Sequence, residues 1–208
     1  MLDPASREDA VAPHRWRSPA LGESLLLDLP QGPLECFRRG AGPALVFAHG
    51  WLANANLWRK VVDLLAPRFL CVTLDLPFGS HRLPLRGDAD LAPEGCGRLI
   101  GDALAALALA DVTLVGNDSG GAYAQIALAS SPGSVRRLVL ISCETPYDAF
   151  PPPPFDGLPA AARDPATLAR LLGALRDPEV RRSPAAYGLL MKHATDAGAF
   201  DSGFPLPQ

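Results

Sequence analysis

Between residues 44 and 141, short apolar runs alternate with stretches in which apolar residues recur at helical spacing, and few folds satisfy that alternation. The runs are residues 44–48, 69–74, 112–115 and 137–141. Between them, Leu57, Val61, Leu64 and Leu65 predict a helix over 57–65. Leu99, Ile100, Ala103, Leu104 and Leu107 mark the inner face of a longer helix, and 121–129 reads as a third. Strands without polar alternation are buried on both faces, and the intervening helices supply the covers. The expected fold is therefore α/β, with a mainly parallel, doubly wound sheet of about six strands. Residues 25–29 and 34–37, joined across Pro30-Gln31-Gly32-Pro33, predict an opening hairpin. In such a sheet, reactive groups collect at the carboxyl ends of the strands.

The texture changes at both ends. Residues 1–22 are rich in Pro, Arg and Ala without periodicity and are expected to form an amino-terminal tail or a loosely docked arm. Residues 23–145 carry the strand and helix alternation. After Cys143 comes the run Pro151 to Pro154, then helical patches at 167–175 and 185–193 with no clear strand, so 146–208 is expected to be a helical, cap-like segment. With 19 Lys and Arg against 22 Asp and Glu, the net charge of −3 argues against a nucleic-acid binder. The apolar run 103–110 lies between Asp102 and Asp111 and is far short of the roughly 20 residues of a membrane span. The amino terminus lacks the pattern of a secretory signal, and a cytoplasmic protein is expected. Cys36, Cys71, Cys96 and Cys143 are scattered without metal-ligand or redox spacing and are expected to be buried thiols; neither a metal nor a cofactor is expected.

The sharpest motif is Val115-Gly116-Asn117-Asp118-Ser119-Gly120-Gly121, between a predicted strand and a predicted helix. A nucleophile elbow has that context, because the chain must turn abruptly and only small residues two before and two after the nucleophile avoid a clash. Centring on Asp118 puts Gly116 and Gly120 at those positions; centring on Ser119 puts Asn117 and Gly121 there. The two-glycine frame favours Asp118, with a structural turn or a phosphate-cradling loop as alternatives. A second motif, Leu45-Val46-Phe47-Ala48-His49-Gly50-Trp51, ends an apolar strand with His-Gly.

With these two motifs, and with Thr73-Leu74-Asp75-Leu76-Pro77-Phe78-Gly79-Ser80, the sequence from about residue 25 to residue 143 resembles the α/β-hydrolase superfamily. The resemblance implies that the backbone N–H groups of Trp51 and Ser119 form an oxyanion hole, that His49 is structural, and that Asp75 orders its loop. An aspartate at the elbow implies the branch of haloalkane and haloacetate dehalogenases and epoxide hydrolases. There a carboxylate attacks an sp3 carbon of a small organic substrate, and water then hydrolyses the resulting ester. Ser119 stands where haloalkane dehalogenases carry a halide-binding Trp, and Trp51 stands where they favour Asn. Tyr147 and Tyr187 are candidates for the cap tyrosines of epoxide hydrolases, without diagnostic context. Glu144 is a candidate for the acid that orients a catalytic histidine. The family's base is a histidine after the last strand, and His14, His49, His81 and His193 do not have that position. The chain is therefore expected to be an amino-terminal portion of such a hydrolase, impaired in turnover. A non-catalytic binding module of the same fold and a Ser119-dependent esterase are the rival expectations.

Overall fold

The computed structural model describes residues 17–78, 81–130, 132–145, 153 and 156–183. The helix expected over 185–193, with Tyr187 and His193, lies outside these residues, as does Tyr147. Six strands form one sheet: β1 (Glu23–Leu29), β2 (Gly32–Arg39), β3 (Ala44–Ala48), β4 (Leu70–Leu74), β5 (Val112–Asn117) and β6 (Val135–Ile141). Their order is β1-β2-β4-β3-β5-β6. The hairpin β1-β2 is antiparallel, β2 joins β4 antiparallel, and every pairing from β4 to β6 is parallel. This is the mainly parallel α/β sheet that the sequence predicts.

Both faces of the central strands are covered, which is why those strands are apolar without alternation. Val46, Val72 and Leu114 point into one core, with helices α2 (Pro93–Leu107) and α3 (Ser119–Ser130). Their neighbours Phe47, Cys71 and Val115 point the other way, against Trp58 and Val62 of the segment that ends in α1 (Arg59–Leu65). Each fully buried side chain of this kind stabilises the fold by about 1.5–3 kcal/mol. Helix α3 is apolar nearly all round, and Ser119 through Ala124 and Ala127 are buried. The short helices α4 (Leu158–Ala162), α5 (Pro165–Ala174) and α6 (Pro178–Arg182) follow the sheet. Cys36, Cys71 and Cys96 are buried free thiols, and Cys143 is half-buried. No helix among the described residues is long and apolar enough to cross a membrane.

Two expectations need correction in detail. Of the four apolar residues that predict the first helix, Leu57 and Leu65 pack against the core, whereas Val61 and Leu64 are 36% and 79% exposed and Trp58 and Val62 are buried. The segment opens as a 3-10 turn over Ala55–Trp58, and insertion of the Trp58 ring against Phe47 sets the phase of the helix behind it. The segment expected as a tail also has its last six residues seated in the fold: Leu21 is wholly buried in a 3-10 turn at Pro19–Leu21, and Arg17 is buried in an ion pair with Asp75.

Candidate functional site

Four chain segments leave the carboxyl ends of β3, β4, β5 and β6 side by side and carry His49-Gly50-Trp51, Asp75-Leu76, Asp118 and Ser142-Cys143-Glu144. Strand β5 runs to Asn117 and α3 begins at Ser119, so the whole reversal is made by one residue, Asp118, at φ +56°. A left-handed conformation costs a side-chain-bearing residue about 1–2 kcal/mol, so the surroundings must hold it. They do: the Asp118 N–H donates to the Ser142 carbonyl at 3.1 Å, and the Gly121 N–H donates to the Asp118 carbonyl at 2.9 Å. Leu52 (φ +59°) and Ser142 (φ +42°), on the flanking loops, share this conformation.

The glycines of the elbow are required by contact. A Cβ on Gly116 would lie 2.5 Å from the Gly121 Cα, and one on Gly120 would lie 2.4 Å from the His49 carbonyl oxygen. The sequence singled out both. It did not single out Gly50, where a Cβ would lie 2.1 Å from Asp118 Oδ1; the His-Gly pair was legible, but the carboxylate it makes room for is 68 positions away.

The two backbone donors named from the sequence meet on one carboxylate oxygen. Asp118 Oδ1 accepts from the Ser119 N–H at 2.6 Å and from the Trp51 N–H at 3.3 Å. The Ser119 hydroxyl stands between them, accepting from the Trp51 N–H at 2.9 Å and donating to Asp118 Oδ1 at 3.0 Å. Ser119 itself is only 2% exposed and is the first residue of α3. The apex of the turn is therefore Asp118 and not Ser119.

The loop bearing Trp51 is pinned from three sides. The Leu52 N–H donates to the Phe78 carbonyl at 2.7 Å. The Trp51 indole N–H donates to the Tyr123 hydroxyl at 2.9 Å. Tyr123 is buried against Phe78, and burial holds its hydroxyl pKa well above the usual tyrosine value. His49 Nε2 accepts from the Leu76 N–H, and its Nδ1 faces the Gly50 carbonyl, each at 2.9 Å. The first bond requires a bare Nε2, which puts the proton on Nδ1 to donate to Gly50. Burial pushes the imidazole from its ordinary 6.5 down to about 4, against the opposing bond to Gly50, with Arg17 and His81 adding to the depression. His49 ties two loops together and has no ring nitrogen left over for a substrate.

Asp75 does the same for the β4 loop. It is buried, pairs with Arg17 and accepts the Ala55 N–H at 3.0 Å. Burial drives its carboxyl pKa up, and Arg17 and the Ala55 bond pull it back only in part. Glu144 is half-buried after β6, with its carboxyl pushed up first by burial and then by the negative charge of Asp118. One of its oxygens, Oε2, is buried without a hydrogen-bond partner. Tyr123 and Arg17 went unrecognised in the sequence. The only available signal for Tyr123 was its standing as the lone aromatic in 119–130; for Arg17 there was none. Among the described residues, no group of three His, Cys, Asp or Glu is placed to hold a metal ion. A cavity of about 350 Å³ lined by Leu104, Ala108, Leu109 and Pro132 lies at the opposite end of the sheet.

Comparison with known proteins agrees with this fold. A family model described as "alpha/beta hydrolase fold" matches residues 43–185. Over 132 residues the chain is 30% identical to a fluoroacetate dehalogenase from Burkholderia sp., a match covering 62% of this chain and 43% of that protein. Over 117 residues it is 30% identical to a pimeloyl-[acyl-carrier protein] methyl ester esterase from Aeromonas hydrophila, covering 55% of this chain and 44% of that one. The matched stretch thus spans less than half the length of either relative. A solved carboxylesterase from Bacillus subtilis superposes with a TM-score of 0.64 at 16% identity, over 89% of this chain and 62% of its own.

Proposed function

We propose, on the premise that the chain belongs to the alpha/beta hydrolase fold family, that Asp118 is the nucleophile of a hydrolase acting on a small organic electrophile such as a haloalkane or an epoxide. The observation that carries this reading is the Asp118 carboxylate, raised on a left-handed turn with Oδ1 held by the backbone N–H groups of Ser119 and Trp51. With Oδ1 so occupied, Oδ2 is the oxygen left to attack. It forms a bond to the sp3 carbon as the carbon–halogen bond breaks and halide departs with the electron pair; with an epoxide, the carbon–oxygen bond breaks and the ring oxygen takes up a proton from water. Water adding to Cγ of the ester then drives charge onto Oδ1, where the same two N–H groups form an oxyanion hole. Collapse breaks the Cγ–Oδ2 bond, releases the alcohol with one of the water's protons, passes the other proton to solvent and restores the carboxylate.

Glu144, half-buried just after β6, is the acid that orients a base in this reading. His49 is no such base, because both ring nitrogens are engaged and the ring is depressed to about 4. General-base assistance is worth about 10²–10⁴-fold, so an ester on Asp118 of the 208-residue chain is expected to persist. The test is incubation with 1-bromohexane or styrene oxide followed by intact-mass spectrometry and peptide mapping. A stable adduct on Asp118, missing in Asp118→Asn, is expected. An adduct on Ser119 from an activated ester would establish the serine reading instead, and no adduct from any of these probes would leave the fold as a binding module.

A further inference from the structure

We propose that the hydroxyl of Ser119 is a third donor to the developing oxyanion, so that Ser119 contributes its side chain as well as its backbone to the chemistry on Asp118. The inference rests on Asp118 being the nucleophile. It starts from a relay of two hydrogen bonds: the Trp51 N–H donates to Ser119 Oγ at 2.9 Å, and Ser119 Oγ–H donates to Asp118 Oδ1 at 3.0 Å. Because Oγ accepts from Trp51, its own proton is directed away from Trp51 and onto the carboxylate. The accepted bond also polarises the hydroxyl and makes it a better donor. Ser119 is 2% exposed, so its hydroxyl is shielded from bulk solvent. The site therefore presents three donors to one oxygen, arranged so that two come from a single residue.

The hydroxyl has opposite effects on the two chemical steps. During alkylation, Oδ2 bonds to carbon and negative charge leaves the carboxylate, so a donor on Oδ1 stabilises the starting state and slows the step. During cleavage, a nucleophile adds to Cγ, the carbonyl π electrons move onto Oδ1, and the donor stabilises the product of that addition. Ser119 keeps its proton throughout. A residue that merely shaped the turn would affect both steps in the same direction.

The steps can be read separately because the ester can be cleaved with hydroxylamine, which attacks Cγ through the same oxyanion without needing a base from the protein. The adduct of the 208-residue chain with 1-bromohexane is formed, its rate of formation measured by mass spectrometry, and its loss to hydroxylamine followed; the same adduct in urea gives the rate without the fold. Ser119→Ala is expected to alkylate roughly two- to tenfold faster. Its folded adduct is expected to be cleaved roughly tenfold or more slower, less than the roughly 10²–10³ of a wholly lost oxyanion donor because the Trp51 N–H can swing fully onto Oδ1. In urea the two should match. Cleavage by Ser119→Ala that is unchanged or faster than in the parent would overturn the inference, the latter meaning that the hydroxyl withholds the Trp51 N–H from Oδ1. If Ser119→Ala fails to fold, Ser119→Cys, with a weak donor of similar shape, is read the same way, and slowing of both steps in it also overturns the inference. Absence of any adduct in the parent chain overturns the Asp118 reading and this inference with it.

Discussion

Acid should weaken this fold through His49. The unfolded chain takes up a proton on this residue near the ordinary 6.5, whereas burial keeps the folded imidazole neutral down to about 4. Between those values the unfolded state binds more protons, so stability falls as the pH falls through 6.5 and stops falling below about 4. The slope in that window is about 1.4 kcal/mol per pH unit, and the loss between pH 7.5 and pH 4.5 is on the order of 2–3 kcal/mol. The structural reason is that a second proton would sit on Nε2, facing the Leu76 N–H that now donates to it. Urea unfolding followed by tryptophan fluorescence at the two pH values measures the loss. His49→Gln can keep an acceptor toward Leu76 but does not titrate, so it should be less stable than the parent at neutral pH yet lose roughly 2–3 kcal/mol less on acidification. Other groups titrate alike in both proteins and cancel. Equal losses in the two would refute the reasoning, because the protonation of His49 would then not be linked to folding.

Gly120→Ala places a Cβ 2.4 Å from the His49 carbonyl oxygen, so α3 must move off β3; thermal unfolding should register a loss of about 1–3 kcal/mol, and adduct formation on Asp118 should cease. Arg17→Met leaves Asp75 buried without its cation and should cost about 3–5 kcal/mol in urea unfolding, with part of the loss recovered by adding Asp75→Asn. Among the described residues β6 is a sheet edge with Val139, Leu140 and Ile141 exposed by 41–43%, a template for strand pairing between copies; sedimentation should find the 208-residue chain self-associating, and less so with Val139→Lys.

The sequence by itself determined the elements and the elbow. Strand burial on two faces and helix burial on one leave local periodic signatures, which is why residues 44–48 were legible to the residue and the inner face of α2 was named correctly. The Gly116, Asp118 and Gly120 frame was legible because a one-residue reversal from strand to helix excludes side chains at fixed offsets along the chain. What lay beyond reach depends on which distant residues meet. The phase of the first helix was set by Trp58 packing on Phe47 of β3, so of the four residues named over 57–65 only Leu57 and Leu65 pack against the core. The Trp51 indole found Tyr123 across 72 positions, and Asp75 found Arg17 across 58, in a segment whose composition resembled a tail. Ser119 was legible as a backbone donor, but its hydroxyl became part of a relay only when β3 brought the Trp51 N–H against it. Periodicity is a property of neighbours along the chain, whereas hydrogen bonds in a buried site are made by neighbours in space, and only the closed sheet decides who those are.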